Sequence, residues 1–410
     1  MPGQLRRNRY AVVGLLVFLF AITYIDRVCI SVAGPRMQAD LHIDPIGWGW
    51  VTGLFTLGYG LFEIPTGALA DKWGPRRVLT RIVLWWSAFT AFTGAATGYR
   101  PLLLTRFLFG AGEAGALPSS SVVVARWFPP AQRATMSGVC LMAGQVGGAL
   151  APLLVVPIQS RYGWRMSFFV FGGVGVVWAA VWYAWFRDTP AGTDTMGSPA
   201  AHVPFPWRAA FRSRSVLAML GMAACYVYAY NFFQTWFHTF LVKGRAFDEG
   251  SLSLSALPYV LAAVANLGGG MMSDALVRKW GVKNGRRVPG AAALAFAGLM
   301  TIAAMLTRGQ MPTVILLSLV YASITFQQST VFGTCMDIGR RHAGSMVGFM
   351  NTSAQAGGLL GSVAYGYLVD RFHSYDAPFL PMAGLLFLGA LFWTKIDAST
   401  DLGVVTANMP

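Results

Sequence analysis

The chain has 410 residues, of which 55% are hydrophobic and 11% charged, with a mean hydropathy of +0.53. A soluble domain carries roughly 25% charged residues, so the composition excludes a soluble enzyme of this length and points to a polytopic membrane protein. The formal charge of +15 is that of basic residues gathered in the loops of a membrane protein, and no nucleic-acid partner is expected.

In chain order, Arg6, Arg7 and Arg9 precede an apolar run from Tyr10 to about Ala33. A signal-peptide core is shorter, about 7–15 residues, so the run predicts a retained first helix. Apolar runs of about 20 residues predict helices at 10–33, 46–70, 78–98, 101–125, 131–157, 164–186, 215–242, 251–277, 288–307, 312–334, 343–369 and 376–396. The polar stretch 187–214, rich in Pro, Gly, Ser and Thr, predicts a linker. The organisation is then a six-helix bundle over 1–186, a cytoplasmic linker over 187–214, a second bundle over 215–396 and a tail over 397–410. One set of loops and ends holds 21 Lys and Arg and the alternate set 8, which puts both termini and the linker in the cytoplasm of a multi-pass inner-membrane protein. Cys29, Cys140, Cys225 and Cys335 lie in apolar runs without metal or disulfide spacing.

The halves repeat each other. "GALADKWGPRRV" (67–78) has a relative in "GMMSDALVRKWGVKNGRRV" (270–288), aligning Asp71 with Asp274. "AGQVGGAL" (143–150) has a relative in "SAQAGGLL" (353–360), aligning Gln145 with Gln355. Parallel repeats of this kind are a transporter architecture, with the site at the midplane between the halves.

The stretch "TRFLFGAGEAGALP" (105–118) contains G-x-G-x-x-G as Gly110, Gly112 and Gly115. A dinucleotide loop needs a strand before it and an acid about 20 residues on; this one lies inside a long apolar run. The glycines are read as close helix packing, and no cofactor is expected. Asp26, Arg27, Arg106 and Glu113 are charges within predicted helices. Each costs roughly 2.5–3.5 kcal/mol on insertion scales, so such residues face a cavity or a partner. Arg106 and Glu113 are seven apart and share a helix face, roughly 10 Å apart along the axis. Two readings stand: internal pairing that locks helix 1 to helix 4, or a site in which carboxylates gain and lose protons.

At this point the residues resemble a family. "GALADKWGPRRVL" resembles the loop signature of the major facilitator superfamily between helices 2 and 3, and "LTRFLFGAGEAG" its helix 4 signature, with Arg106 at the arginine position. "YIDR", "YGLFEIPTGALADKWG", "RFLFGAGEAGALPSSSVVVARWFPPAQRA" and "YGWRMSFFVFGGVGVVW" resemble the anion:cation symporter branch, which includes bacterial galactonate, glucarate and hexuronate permeases and vesicular glutamate and sialic acid carriers. The helix 4 block departs from the branch: "EAGALPSSS" has no proline directly after "EA" and no asparagine further on.

The resemblance implies an all-α fold of twelve transmembrane helices in two six-helix bundles. It implies a proton-coupled symporter that imports an organic anion, a sugar acid such as an aldonate, aldarate or hexuronate, and works as a monomer in the bilayer with protons as coupling ion. Permeases for aromatic or other carboxylic acids, phosphate-linked exchangers and non-transporting membrane sensors are the alternatives. Arg27 or Arg106 attracts the substrate carboxylate, since guanidinium matches carboxylate with two parallel bonds, with Arg27 preferred for direct contact. Glu113 couples proton to substrate and Asp26 is the second proton site. Tyr59, Gln145, Tyr228, Gln234, Trp236, Gln328 and Asn351 are the further candidates for substrate binding, Asn351 because related permeases use an asparagine there. Gly67, Asp71 and Asp274, with Arg76 or Arg77, form a cytoplasmic latch favouring the outward-open state, as in relatives.

Overall fold

The computed structural model describes residues 2–128, 130–188, 205–248, 250–339 and 343–400, apart from the side chains of 2–8, 64–65, 67–72, 125, 130–135, 137, 250 and 343–344. Helix is the regular structure of the described residues, and no strand occurs among them. They divide into two compact units, Met1–His202 and Val203–Pro410.

The first unit holds α1 (Pro2–Asp40), α2 (Pro45–Trp73), α3 (Pro75–Ala95), α4 (Tyr99–Glu113), α5 (Ala116–Trp127), α6 (Pro130–Tyr162) and α7 (Trp164–Trp185). The second holds the short α8 (Trp207–Arg212), α9 (Arg214–Thr235), α10 (Phe237–Thr239), α11 (Leu257–Leu306), α12 (Gln310–Gly339), α13 (Ala343–Phe372) and α14 (Phe379–Trp393). A π-turn, Phe240–Gly244, follows α10. In α11 the backbone at Gly281 turns to φ 75°, ψ 168°, so this element is two helices joined at a sharp corner. With α4 and α5 counted as one pass, α10 taken with α9, α11 counted as two and the short α8 left out, the described residues form twelve helical passes. Eight of the helical segments are long and apolar enough to cross a membrane.

The same helix pairs pack in each unit. In the first, α1 packs on α6, α2 on α4 and α3 on α7; in the second, α9 packs on α13, α11 on α12 and α11 on α14. Small residues allow the first of these contacts in both halves. A Cβ on Gly147 would lie 2.2 Å from the Ala21 carbonyl oxygen, and one on Gly357 would lie 2.0 Å from that of Ala224. Backbones this close gain dispersion contacts that larger residues would prevent.

A second shared device sits at one end of each unit. Arg165 pairs with Asp40 at the end of α1 at 2.5 Å and donates to the carbonyl of Ala96, the residue that caps α3, at 3.3 Å. Arg245, after the π-turn, pairs with Asp376 at 2.6 Å and donates to the carbonyl of Thr307, the residue that caps α11, at 3.2 Å. The charges are exchanged between the halves, yet each arginine ties a helix end, a loop and a cap together.

Two predicted elements need correction. The predicted helix over 101–125 is broken into α4 and α5: Ala114 takes φ −53°, ψ 136° and Gly115 the left-handed conformation with φ 89°. Pro118 causes the break, because its ring clashes with the carbonyl four residues earlier, that of Ala114, and it has no N–H to bond there. The predicted linker is helical over Trp207–Arg212, a segment too short for its periodicity to register.

Candidate functional site

The charged residues of α1 and α4 meet in the first unit. Two nitrogens of Arg27, Nε and one terminal nitrogen, lie 2.5 Å from the same oxygen, Oε1 of Glu113. The other carboxylate oxygen, Oε2, is buried and has no hydrogen-bond partner among the described residues. The Arg27 side chain is 21% exposed and that of Glu113 1%, so Arg27 is the member of the pair that meets the surroundings. Its guanidinium also sits over the Tyr59 ring at 4.9 Å and the Phe55 ring at 5.5 Å, where the negative ring faces favour a cation.

Arg106 lies deeper, 3% exposed, with its guanidinium 4.6 Å from the Phe109 ring centre and 5.0 Å from that of Phe55. Phe55 therefore contacts both arginines. Asp26 is 2% exposed, and neither of its carboxylate oxygens has a hydrogen-bond partner among the described residues. It is within coulombic range of Glu113 and Arg106. An ionised carboxylate without a partner is costly to bury, so Asp26 is poorly satisfied here.

A small recess of about 70 Å³ lies beside the pair, lined by Leu19, Phe20, Thr23, Tyr24, Arg27, Tyr59, Glu113, Ala116, Leu117 and Leu141. Of the four charges in predicted helices, Arg27 and Glu113 line this recess. Asp26 and Arg106 are not among its walls and are buried in the bundle. Tyr59 is in the wall; Gln145, buried on α6, is not, and its side-chain oxygen is unpartnered.

The glycines of 105–118 build this arrangement. A Cβ on Gly110 would meet the Phe55 carbonyl oxygen at 2.1 Å, which is what lets α4 lie against α2, and one on Gly112 would overlap Trp85 at 1.7 Å. Gly115 makes the turn that the break requires. Glu113 is thus the last residue of α4, and Ala116 and Leu117 open α5 in the wall of the recess. A broken helix that lines a cavity is how membrane transporters present irregular backbone to a ligand.

In the second unit, Gln234 donates to the Tyr321 hydroxyl at 2.9 Å and its side-chain oxygen is unpartnered. Trp236 is fully buried; it donates to the Ser362 carbonyl at 3.2 Å and packs on Tyr365 at 4.8 Å, so it is part of the packing core. Tyr228 is buried on α9, whereas Gln328 on α12 and Asn351 on α13 are half-buried.

The predicted latch divides. Gly67 and Asp71 lie outside the described side chains. Arg76 is committed to α7: it donates to the Tyr183 carbonyl at 2.9 and 2.5 Å and stacks on that ring at 4.5 Å. Arg77 is exposed. Asp274 accepts from Arg286 at 2.7 Å, and Arg286 also bonds Asp337 at 2.9 Å.

Sequence reasoning also passed over Glu63. It stands in the middle of the second apolar run, is 6% exposed and lies one turn from Tyr59 on α2. The signal was present in "LFEIP", a lone acid among apolar residues.

The profile of the Major Facilitator Superfamily matches residues 16–362. The chain is 32% identical to the probable sulfoacetate transporter SauU of Cupriavidus necator, over 94% of this chain and 93% of the relative. It is 29% identical to the hexuronate transporter of Bacillus subtilis, over 92% of each, and 24% identical to the probable L-galactonate transporter of Escherichia coli, over 95% and 89%. In fold it is similar to the crystal structure of a bacterial homologue of the human lysosomal transporter Spinster in an inward-facing and occupied conformation. That similarity has a TM-score of 0.77 at 18% identity and covers 98% of this chain and 97% of the other. With its twelve helical passes in two like halves, the chain belongs to the Major Facilitator Superfamily, a family of membrane transporters rather than enzymes.

Proposed function

We propose that the protein is a proton-coupled symporter that imports an organic anion, a sugar acid, across the inner membrane by alternating access, with both termini in the cytoplasm. One observation carries this reading: Arg27 grips a single oxygen of Glu113 and leaves the other bare. A proton on Glu113 removes the charge that holds Arg27. The guanidinium, already the exposed partner, then turns to the carboxylate of the substrate, which it matches with two parallel bonds. Asp26, buried without a partner, is the second proton site. Arg106 and Tyr59 position Arg27 and the recess.

The charge balance distinguishes two modes. One proton with a monoanion moves no net charge. Two protons carry one positive charge inward, a drive of about 2.3 kcal/mol per 100 mV.

The relatives named for hexuronate and L-galactonate support the sugar acid. The relative named for sulfoacetate favours a second reading, a small acid bearing both carboxylate and sulfonate, and the small recess, about 70 Å³, suits such a compact ligand. Competition in proteoliposomes decides between them. Glucuronate and galactonate should displace a labelled sugar acid in counterflow, with sulfoacetate inert. Strong competition by sulfoacetate alone would establish the second reading, and no competition by any carboxylate would remove both.

A further inference from the structure

We propose that the segment from Phe205 to Arg214 is a lipid-binding foot, whose aromatic and arginine side chains hold the headgroup layer of an anionic bilayer leaflet. Its short helix, α8, has three faces. Ala209 and Ala210 are buried against the unit. Trp207 and Phe211, one turn apart, are 50% and 56% exposed. Arg208 and Arg212, also one turn apart, are exposed beside them, as is Arg214.

The position of this helix identifies its partner. α8 ends two residues before Arg214, where the apolar span Arg214–Thr235 begins, so it lies at the level where that span leaves the hydrocarbon. Its aromatic face is fixed there. Trp207 packs edge-on against Phe349 of α13 at 5.4 Å and Phe211 does so at 5.1 Å, with Phe205 against Trp207 at 4.8 Å. Tryptophan set at the end of a span, half covered by protein, occupies the interfacial belt of a membrane.

The arginines specify the lipid. The first turns of α8 and α9 carry no acid. Asp397, whose N–H bonds Ser215 at 3.1 Å, has its carboxylate engaged by Lys283 at 2.8 Å. Among the described residues no acid pairs with Arg208, Arg212 or Arg214, so three guanidinium groups are presented at headgroup depth, and phospholipid phosphates and anionic headgroups supply the matching charge. A soluble protein partner would have to displace the bilayer from Trp207 and Phe211.

Hydrogen exchange on the full chain in nanodiscs tests this. Amides of 205–214 should exchange about fivefold more slowly in a bilayer containing phosphatidylglycerol than in phosphatidylcholine alone, the effect of one basic residue at an anionic surface. The R208Q/R212Q/R214Q variant should exchange equally in both bilayers, and R208K/R212K/R214K should keep the difference. Unchanged exchange in α1 and α12 reports that each variant is folded. Equal exchange of the wild-type segment in both bilayers would overturn the proposal. So would a lipid dependence that survives in the glutamine variant, or protection reproduced in phosphatidylcholine by inorganic phosphate.

Discussion

At the scale of single residues, the geometry around Glu113 separates roles that the sequence left merged. Arg27 and Arg106 are both arginines in predicted helices, yet one is a fifth exposed and ion-paired while the other is buried between aromatic rings. Under the proposed function Arg27 takes the substrate, and its two-nitrogen grip cannot be copied by lysine. R27K should therefore raise KM for the sugar acid by about tenfold or more, the loss of one charge-assisted bond, while leaving the fold intact by thermal melting. An unchanged KM would move substrate binding elsewhere. The four charges were legible because charge in an apolar run is conspicuous. Their partners were not, since pairing across α1, α2 and α4 depends on rotations that a sequence does not display. Glu63 shows the limit on one chain: its position was visible, but its proximity to Tyr59 gains meaning only when Tyr59 lies over Arg27.

At the scale of elements, the break between α4 and α5 places Glu113 at a helix end, and Pro118 and Gly115 produce it by different means. Proline in a helix interior costs about 3 kcal/mol, so P118A should raise thermal stability or leave it unchanged. If the healed helix turns Glu113 away from Arg27, uptake should fall at the same time. Higher stability with full uptake would show the break to be irrelevant to transport. G115A, in contrast, should destabilise, since a Cβ there would lie 2.5 Å from the Thr66 hydroxyl and the backbone is left-handed. The two arginine clasps make a comparison of magnitudes. Asp40 and Arg165 are 47% and 41% exposed, and such a pair contributes about 0–1 kcal/mol. Arg245 is 4% exposed, and removing the partner of a buried charge costs about 3–5 kcal/mol. D376N should thus lower the melting temperature clearly and D40N hardly; equal effects would contradict the burial argument. The helices themselves were read from apolar run length. The break was missed because run length ignores a single proline, and α8 because six residues carry too little period.

At the scale of the whole molecule, the duplicated sequence appears as duplicated packing. Gly147 and Gly357 perform the same close approach in their own units, and the aligned motifs around Gln145 and Gln355 are the reason that repeat could be seen beforehand. The latch motif was equally visible: the resemblance gives it Arg76 or Arg77, and in the second unit Arg286, the counterpart of Arg76 in the repeated motif, bonds Asp274 across a corner of α11. The family assignment fixes the scaffold, and under the proposed function the coupling chemistry falls to the residues beside the recess. The central claim is that Glu113 carries the proton whose arrival frees Arg27. Its most direct test is uptake of a labelled sugar acid into proteoliposomes, outside acidic and sodium-free, by wild type and E113Q. Wild type should accumulate the anion only with the gradient, and E113Q should fail to accumulate it while still exchanging it in counterflow. Accumulation by E113Q at the wild-type level, or wild-type uptake indifferent to the gradient, would contradict the account.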